Sequence, residues 1–355
     1  MAVVAGIDEA GYGPLLGPLV VGVTAFRLPE PVLDRPEGPG SLWQRIGSHA
    51  VRKRPPRGRG AAQRDRRLVV CDSKKLHAGG RGLARMEQTV LCFLATATGA
   101  PLGRAAGASR PGCCGASRLA DFAAQPADAL LAALGARPLG AETCPWLDGS
   151  SPQLPAFSFR RELETRRALL ARALERAGLE TLHVLPVVLH PHAFNEGVRR
   201  HGNKHRYEWS VIARALECLW ERYGDEGLDV TVDRLSGRSV YGPALARRFS
   251  GAQVVAETQD EQRSQYRVEG GGRRMRVRFV VGGDEHALPT ALASLCAKYF
   301  RELYMQPLNA YFSERVPGLR PTAGYAQDGR RFLAEIEPVF SRERPCPREA
   351  LVRCC

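Results

Sequence analysis

Lysine is scarce in this chain: five of its 51 basic residues are lysine and the rest arginine. An uninterrupted apolar run of the roughly 20 residues that a membrane helix needs is missing, so a membrane-spanning reading is set aside. The ten cysteines include no Cys-x₂-Cys pair matched by a second pair or by histidines, which excludes the common zinc modules. With 355 residues the chain is also too long for a disulfide-stapled mini-domain. Cys113-Cys114 and Cys354-Cys355 are adjacent pairs in loop-like sequence. No secretory leader is expected, because Asp8 and Glu9 interrupt the start, and the cytoplasm is the expected location. No Gly-Lys-Ser/Thr follows the first glycine-rich turn, which argues against a nucleotide triphosphatase.

What is abundant is positive charge. The formal net charge of +14 suits a polyanionic partner, since phosphate contacts dominate nucleic-acid affinity. A GC-rich coding sequence would give the same arginine excess beside so much Ala, Gly and Pro. The densest basic stretch, Arg52 through Arg67, reads as a solvated loop, with a nucleic-acid contact as the alternative. Arg273, Arg274, Arg276 and Arg278 alternate along a strand or hairpin, where they would line a backbone groove or protect an exposed edge.

The opening segment is the most informative. Val3-Val4-Ala5-Gly6-Ile7 is an apolar run that ends in two carboxylates, Asp8 and Glu9. Gly11-Tyr12-Gly13-Pro14 then reverses the chain before a second apolar run, Leu19 to Gly22. Such runs read as buried strands around a turn. An ordinary surface turn also carries acidic pairs, but seldom with apolar walls on both sides. Further on, Leu68-Val69-Val70 leads into Cys71-Asp72-Ser73-Lys74-Lys75-Leu76, a helix start with Asp72 or Ser73 as N-cap. Asp229-Val230-Thr231-Val232-Asp233 alternates as a half-buried strand with Asp233 at its end. Phe279-Val280-Val281-Gly282-Gly283-Asp284 is a strand and glycine turn ending in another carboxylate, with Glu285 as a competitor.

Taken in order, these segments resemble type 2 ribonuclease H, the ribonuclease HII and HIII family. The family opens with a strand ending in Asp-Glu-Ala-Gly, then a glycine-rich turn, a Gly-Pro-Val-Val strand and Asp-Ser-Lys-Lys-Leu. Ala293-Ser294-Leu295-Cys296-Ala297-Lys298 is similar to its Ala-Ser-Ile-x-Ala-Lys helix, and Gly324-Tyr325 to the Gly-Tyr of its substrate-reading motif. The matching segments cover about half the chain. The resemblance implies an α/β ribonuclease H-like fold, with a central mixed sheet flanked by helices and with inserted loops. Periodicity alone gives only α/β.

It also implies a chemistry. Asp8, Glu9, Asp233 and Asp284 would be the catalytic and metal-binding carboxylates. Gly11, Tyr12, Gly13, Lys74, Ser294, Lys298 and Tyr325 would contact substrate. Mg²⁺ or Mn²⁺ would be the cofactor, and an RNA–DNA hybrid or ribonucleotide-containing duplex DNA the partner. The implied activity is endonucleolytic hydrolysis leaving a 3′-hydroxyl and a 5′-phosphate. The residue types suit it, because hard cations prefer carboxylate oxygen and a pair of them roughly 3.5–4 Å apart activates water and steadies the leaving oxygen. On an ideal strand Asp8 and Glu9 point to opposite faces, so the strand is expected to end or bulge there.

This chain departs from the family pattern at several points. Tyr12 stands where the turn usually has Arg or Lys, Arg234 replaces the glycine after Asp233, and no histidine follows Tyr325. Asp233 and Asp284 lie 51 positions apart, farther than in compact members. These departures keep two other readings open: a nucleic-acid-binding protein with altered chemistry, and a metal-dependent DNA nuclease. The expected organisation is one catalytic domain over residues 1–340, with insertions at about 30–67, 101–158 and 235–275, and a tail over 341–355. Helices are expected at Met86–Ala97, Arg160–Ala177 and Glu208–Tyr223 and after Asp284, with a Pro186-edged strand at Leu182–Leu189. His205 is expected to cap or to sit on the surface rather than act in the site.

Overall fold

The computed structural model describes residues 1–33, 41–52, 66–77, 80–99, 125–148 and 151–354. Most of the basic stretch Arg52–Arg67, the Cys113-Cys114 pair and Cys355 lie outside the described residues.

Seven strands build one mixed sheet: β1 (Ala2–Ala10), β2 (Leu19–Leu28), β3 (Glu180–Leu189), β4 (Leu228–Asp233), β5 (Gln253–Gln259), β6 (Arg263–Gly270) and β7 (Arg273–Val280). Their spatial order is β3-β2-β1-β4-β7-β6-β5. β1, β4 and β7 run parallel, while β2 and β3 on one side and β6 and β5 on the other are antiparallel additions. β3 is therefore an edge strand, where Pro186 costs no ladder bond. The stretch expected as an insertion at 235–275 holds a short helix and the β5–β6 pair, which extends the sheet by two strands.

The two faces of β1 meet different layers, as the two-residue period requires. Ala2 and Val4 pack with the cluster that includes helices α2 (Gly82–Ala95), α3 (Arg160–Arg176), α8 (Leu288–Ser313) and α9 (Ala326–Glu343). Val3, Ala5 and Ile7 pack with α5 (Lys204–Tyr223) and α6 (Gly242–Arg248). Four further helices bear on the site and its surroundings: α1 (Ser73–His77), α4 (Pro191–His201), α7 (Gly283–His286) and α10 (Arg348–Leu351).

α8 lies unusually close to the sheet, and glycine is the reason. A Cβ on Gly22 would stand 2.1 Å from the Ala293 carbonyl oxygen, so only a residue without a side chain admits the helix there. The Thr24 hydroxyl fixes the same approach by donating to the Pro289 carbonyl at 2.7 Å.

Two expectations are corrected. β7 is an interior strand, so Arg276 and Arg278 do not guard an edge. Both are buried and both pair with Asp229 on the neighbouring strand. The carboxylate was the missing piece of information: alternating arginines read as exposed until a buried counter-charge faces them. The second correction concerns β1, which neither ends nor bulges at Asp8. Its register with β2 continues through Asp8–Gly22, Glu9–Val21 and Ala10–Val20.

Candidate active site

Three parallel strands deliver the carboxylates to one end of the sheet. Asp8 and Glu9 lie near the C-terminal end of β1, Asp233 closes β4, and Asp284 sits in α7 just after β7. The C-terminal edge of parallel strands is where α/β sheets commonly form a crevice. The β1–β4 pairing stops at Ile7–Val232, one residue short of Asp8 and Asp233.

Since β1 runs on unbroken, its two carboxylates do diverge. Asp8 turns toward α8, where a hydrogen bond from the Ser294 hydroxyl steadies it. Glu9 turns toward α5 and feels the charge of Glu208. Asp233 bears on both, so the site straddles the end of β4.

Burial raises every pKa in the group, and repulsion between carboxylates adds to it at Asp8, Glu9 and Asp284. Asp8 stands well above the usual carboxylate range, through burial first and then through Glu9 and Asp233. Glu9 is pushed up to about 8 by burial, Glu208 and Asp233. Asp284 rises to about 6 through burial and then Asp72, Asp233 and Glu285. Burial also raises Asp233, against donors that include the Gly283 amide at 2.7 Å. Exposed Lys74 works the other way, lowering Glu9, Asp233 and Asp284.

The Asp72-Ser73-Lys74-Lys75 segment is built into this wall. Asp72 caps α1 by accepting the Lys74 amide at 2.8 Å, and the Ser73 and Ser294 hydroxyls share a buried hydrogen bond of 3.2 Å. Lys75 pairs with Glu285. That pair draws Glu285 outward and leaves Asp284 as the carboxylate that feels Asp233.

The turn after β1 meets the loop before α9. The Leu15 and Leu16 amides donate to the Gly324 carbonyl at 2.8 and 3.2 Å. Gly11 has φ +91°, and a Cβ there would stand 2.6 Å from the Pro18 carbonyl oxygen. Arg301 of α8, fully buried, donates to the carbonyls of Pro18, Leu16 and Ala323 and ties both loops to the helix. Tyr325, at the start of α9, remains half exposed. Lys298 is engaged by Glu302.

Arg301, Glu208, Lys204 and Arg353 were not read from sequence as neighbours of the site. Arg301 lies off the apolar stripe of α8, where a charge reads as solvated, yet this helix is enclosed on nearly every side. Glu208 stands four positions before Ile212 on the core stripe of α5 and is 1% exposed. That placement was the signal available for it. Neither of its carboxylate oxygens has a hydrogen-bond partner among the described residues, and its pKa is raised to about 7 by burial. His205 accompanies Tyr12 through a 2.9 Å hydrogen bond to its hydroxyl, while Asn203 takes the capping role by accepting the Arg206 amide. Lys204 stands 5.0 Å from the Tyr12 ring centroid, so the turn has a cation beside its tyrosine. Arg353 is the fourth.

The structural neighbours over nearly the full chain are ribonucleases HII and HIII. One is the ribonuclease HII of a PCNA complex from Archaeoglobus fulgidus, at 14% identity and TM-score 0.37, covering 99% of this chain and 93% of that one. A second is ribonuclease H2 from Pyrococcus horikoshii, at 15% identity and TM-score 0.42, covering 99% and 92%. A third is Bst-RNase HIII in complex with Mn²⁺, at 14% identity and TM-score 0.37, covering 99% and 66%. No family model matches the chain, and no curated protein matches it.

Among the described residues, no group of three or more His, Cys, Asp or Glu side chains is arranged to hold a metal ion as it stands. Nor is any helix among them long and apolar enough to cross a membrane.

Proposed function

We propose that this protein is a metal-dependent endoribonuclease that cleaves the RNA strand of RNA–DNA hybrids or ribonucleotides embedded in DNA. The observation that carries the reading is the gathering of Asp8, Glu9, Asp233 and Asp284 at the ends of three adjacent parallel strands. They lie beside a turn whose Tyr12 and Gly13 amides meet no acceptor among the described residues.

The donor chemistry fits Mg²⁺ or Mn²⁺, being all carboxylate oxygen. Asp8, Glu9, Asp233 and Asp284 would hold the ions, and a cation between them turns mutual repulsion into attraction. Once bound, such ions activate a water for attack on phosphorus and stabilise the leaving 3′-oxygen. The protein's own residues supply position. Ser294 orients Asp8, the Gly283 amide orients Asp233, and Lys74 is a cation free to meet a phosphate. The Tyr12 and Gly13 amides and Tyr325 suit recognition of a 2′-hydroxyl, the group that distinguishes RNA from DNA.

The test is incubation with three duplexes, one carrying a single ribonucleotide, one all DNA and one a full hybrid, each with Mg²⁺ or Mn²⁺. Cleavage of a ribonucleotide-containing strand that disappears in Asp8→Asn supports the reading. A protein that binds the duplexes but cuts none has lost the chemistry. That second reading, a nucleic-acid-binding protein, is suggested by Tyr12 in the turn, Arg234 after Asp233 and the insertions. Cleavage of the all-DNA duplex would make it a DNA nuclease.

A further inference from the structure

The segment Arg348–Arg353 folds back across the turn that follows β1. Buried Asn195 of α4 holds this segment, donating to the carbonyls of Glu349 and Val352 at 2.9 and 2.8 Å and accepting the Cys354 amide at 2.7 Å. The Arg353 amide in turn donates to the Leu15 carbonyl at 2.8 Å. The Arg353 side chain is 3% exposed. Its guanidinium lies 3.9 Å from the Phe194 ring centroid and donates to the carbonyls of Gly11 and Tyr12.

Burying a guanidinium is costly unless its donors are met, and here the acceptors include two consecutive carbonyls of one turn. The arrangement has a geometric effect. In a planar trans peptide the carbonyl and the following N–H point in opposite directions. Drawing the Gly11 and Tyr12 carbonyls inward therefore aims the Tyr12 and Gly13 amides outward, away from Arg353. Those two amides have no acceptor among the described residues, and Gly13 is exposed with nothing within 4 Å of a Cβ built on it.

We infer that Arg353 is a positioning residue that sets the direction of the Tyr12 and Gly13 amides and so prepares the turn to recognise a ribose hydroxyl. The inference rests on the proposed function for its ligand, but the orientation of the turn stands on the hydrogen bonds alone. A rigid planar fork suits the task, because its two terminal nitrogens meet the two carbonyls in a fixed relation that a single lysine nitrogen does not impose.

The test compares wild type, Arg353→Ala and Arg353→Lys in the full chain. Amide hydrogen exchange over residues 10–18 is read first, because it needs no activity. Faster exchange in Arg353→Ala, with the Asp233–Asp284 region unchanged, is expected; unchanged exchange over 10–18 overturns the inference. Steady-state cleavage of the single-ribonucleotide duplex is read second. Arg353→Ala is expected to raise KM about tenfold with kcat little changed, as lost ground-state and transition-state binding of one or two hydrogen bonds would. Arg353→Lys should recover part of that loss, whereas a fall in kcat at constant KM overturns the positioning role. Should Arg353→Ala not fold, Arg353→Lys carries both readouts, and wild-type exchange and KM in it overturn the inference. If wild type cuts no ribonucleotide-containing duplex, the proposed function fails, while the exchange comparison still decides the role of Arg353.

Discussion

The Gly283 amide donates to the Asp233 carboxylate at 2.7 Å, so the turn that brings in Asp284 also orients Asp233. Two carboxylates that follow from different strands are thereby set as a pair rather than separately.

Removing either end of the carboxylate set should stop turnover. Asp8→Asn and Asp284→Asn are each expected to lower Mg²⁺- or Mn²⁺-dependent cleavage by at least about 10²-fold, the loss typical of deleting one electrostatic stabiliser. Hybrid binding, followed by fluorescence anisotropy, should remain near wild type. Wild-type turnover in either variant would remove these residues from the site.

The raised carboxylates also fix a pH dependence. Glu9 goes from 4.5 unfolded to about 8 folded, and Asp284 from 3.8 to about 6. The folded state thus holds more protons, and the stability they lend is complete at low pH and lost as pH rises through about 6 and about 8. Buried His183 and His190 act oppositely, being depressed to about 3 and about 4 by burial. Their contribution is present above 6.5 and lost as pH falls. Between pH 6.5 and 8, below the range where the buried thiols count, the change comes from the raised carboxylates, Glu9 and Glu208 among them, so the Tm of chelator-treated protein should fall across that window. Mg²⁺ or Mn²⁺ should reduce the fall, and Glu9→Gln should reduce it as well. A Tm constant across the window in chelator would show that Glu9 is ionised at neutral pH.

Asp229 is a stability residue, separate from the site. It compensates both buried arginines of β7. Breaking such a group from one side costs about 3–5 kcal/mol, and that is the loss expected for Asp229→Asn in denaturant unfolding. Cleavage at a temperature where the variant stays folded should match wild type. A cost near zero would place Arg276 and Arg278 in contact with solvent.

Gly22→Ala tests the approach of α8 to the sheet. The new methyl would meet the Ala293 carbonyl, and overpacking of that kind costs about 1–3 kcal/mol or more. Lower activity is expected to accompany the lower Tm, because Ser294 follows Ala293 and steadies Asp8. An unchanged Tm would mean that the helix has room to withdraw.

How much of this was readable in advance depended on whether the determining contacts were local. The apolar runs around Asp8, Asp233 and Asp284 identified their strands and ends, because alternation and glycine turns are written within a few residues. Helix limits came close for the same reason: Met86–Ala97 was expected against Gly82–Ala95 in the fold, and Arg160–Ala177 against Arg160–Arg176. Asp72 as a cap was likewise a local matter. The inward turn of Arg276 and Arg278 was not, since it depends on Asp229 in a strand 47 and 49 positions earlier. The roles of Arg301 and Arg353 were not legible because main-chain carbonyls accept from their terminal guanidinium nitrogens, and carbonyls leave no mark in a sequence. The divergence of Asp8 and Glu9 was foreseen as a difficulty, but the expected bulge was the wrong remedy. The termination of β1–β4 pairing at Ile7–Val232 lets Asp233 serve both sides instead.

That same parallel pairing, Val3–Leu228 through Ile7–Val232, has a kinetic consequence. It closes a loop of roughly 220 residues, and long-range closures of this sort form slowly. A nascent or partly unfolded chain therefore holds Asp8 apart from Asp233, and the acidic cluster belongs to the finished fold alone. An ion bound there, as proposed, would add a contact absent from earlier states on the folding route and would act by slowing unfolding rather than by changing the folding rate. A metal-filled centre of the proposed kind would thus also be a clasp that lengthens the life of the folded chain.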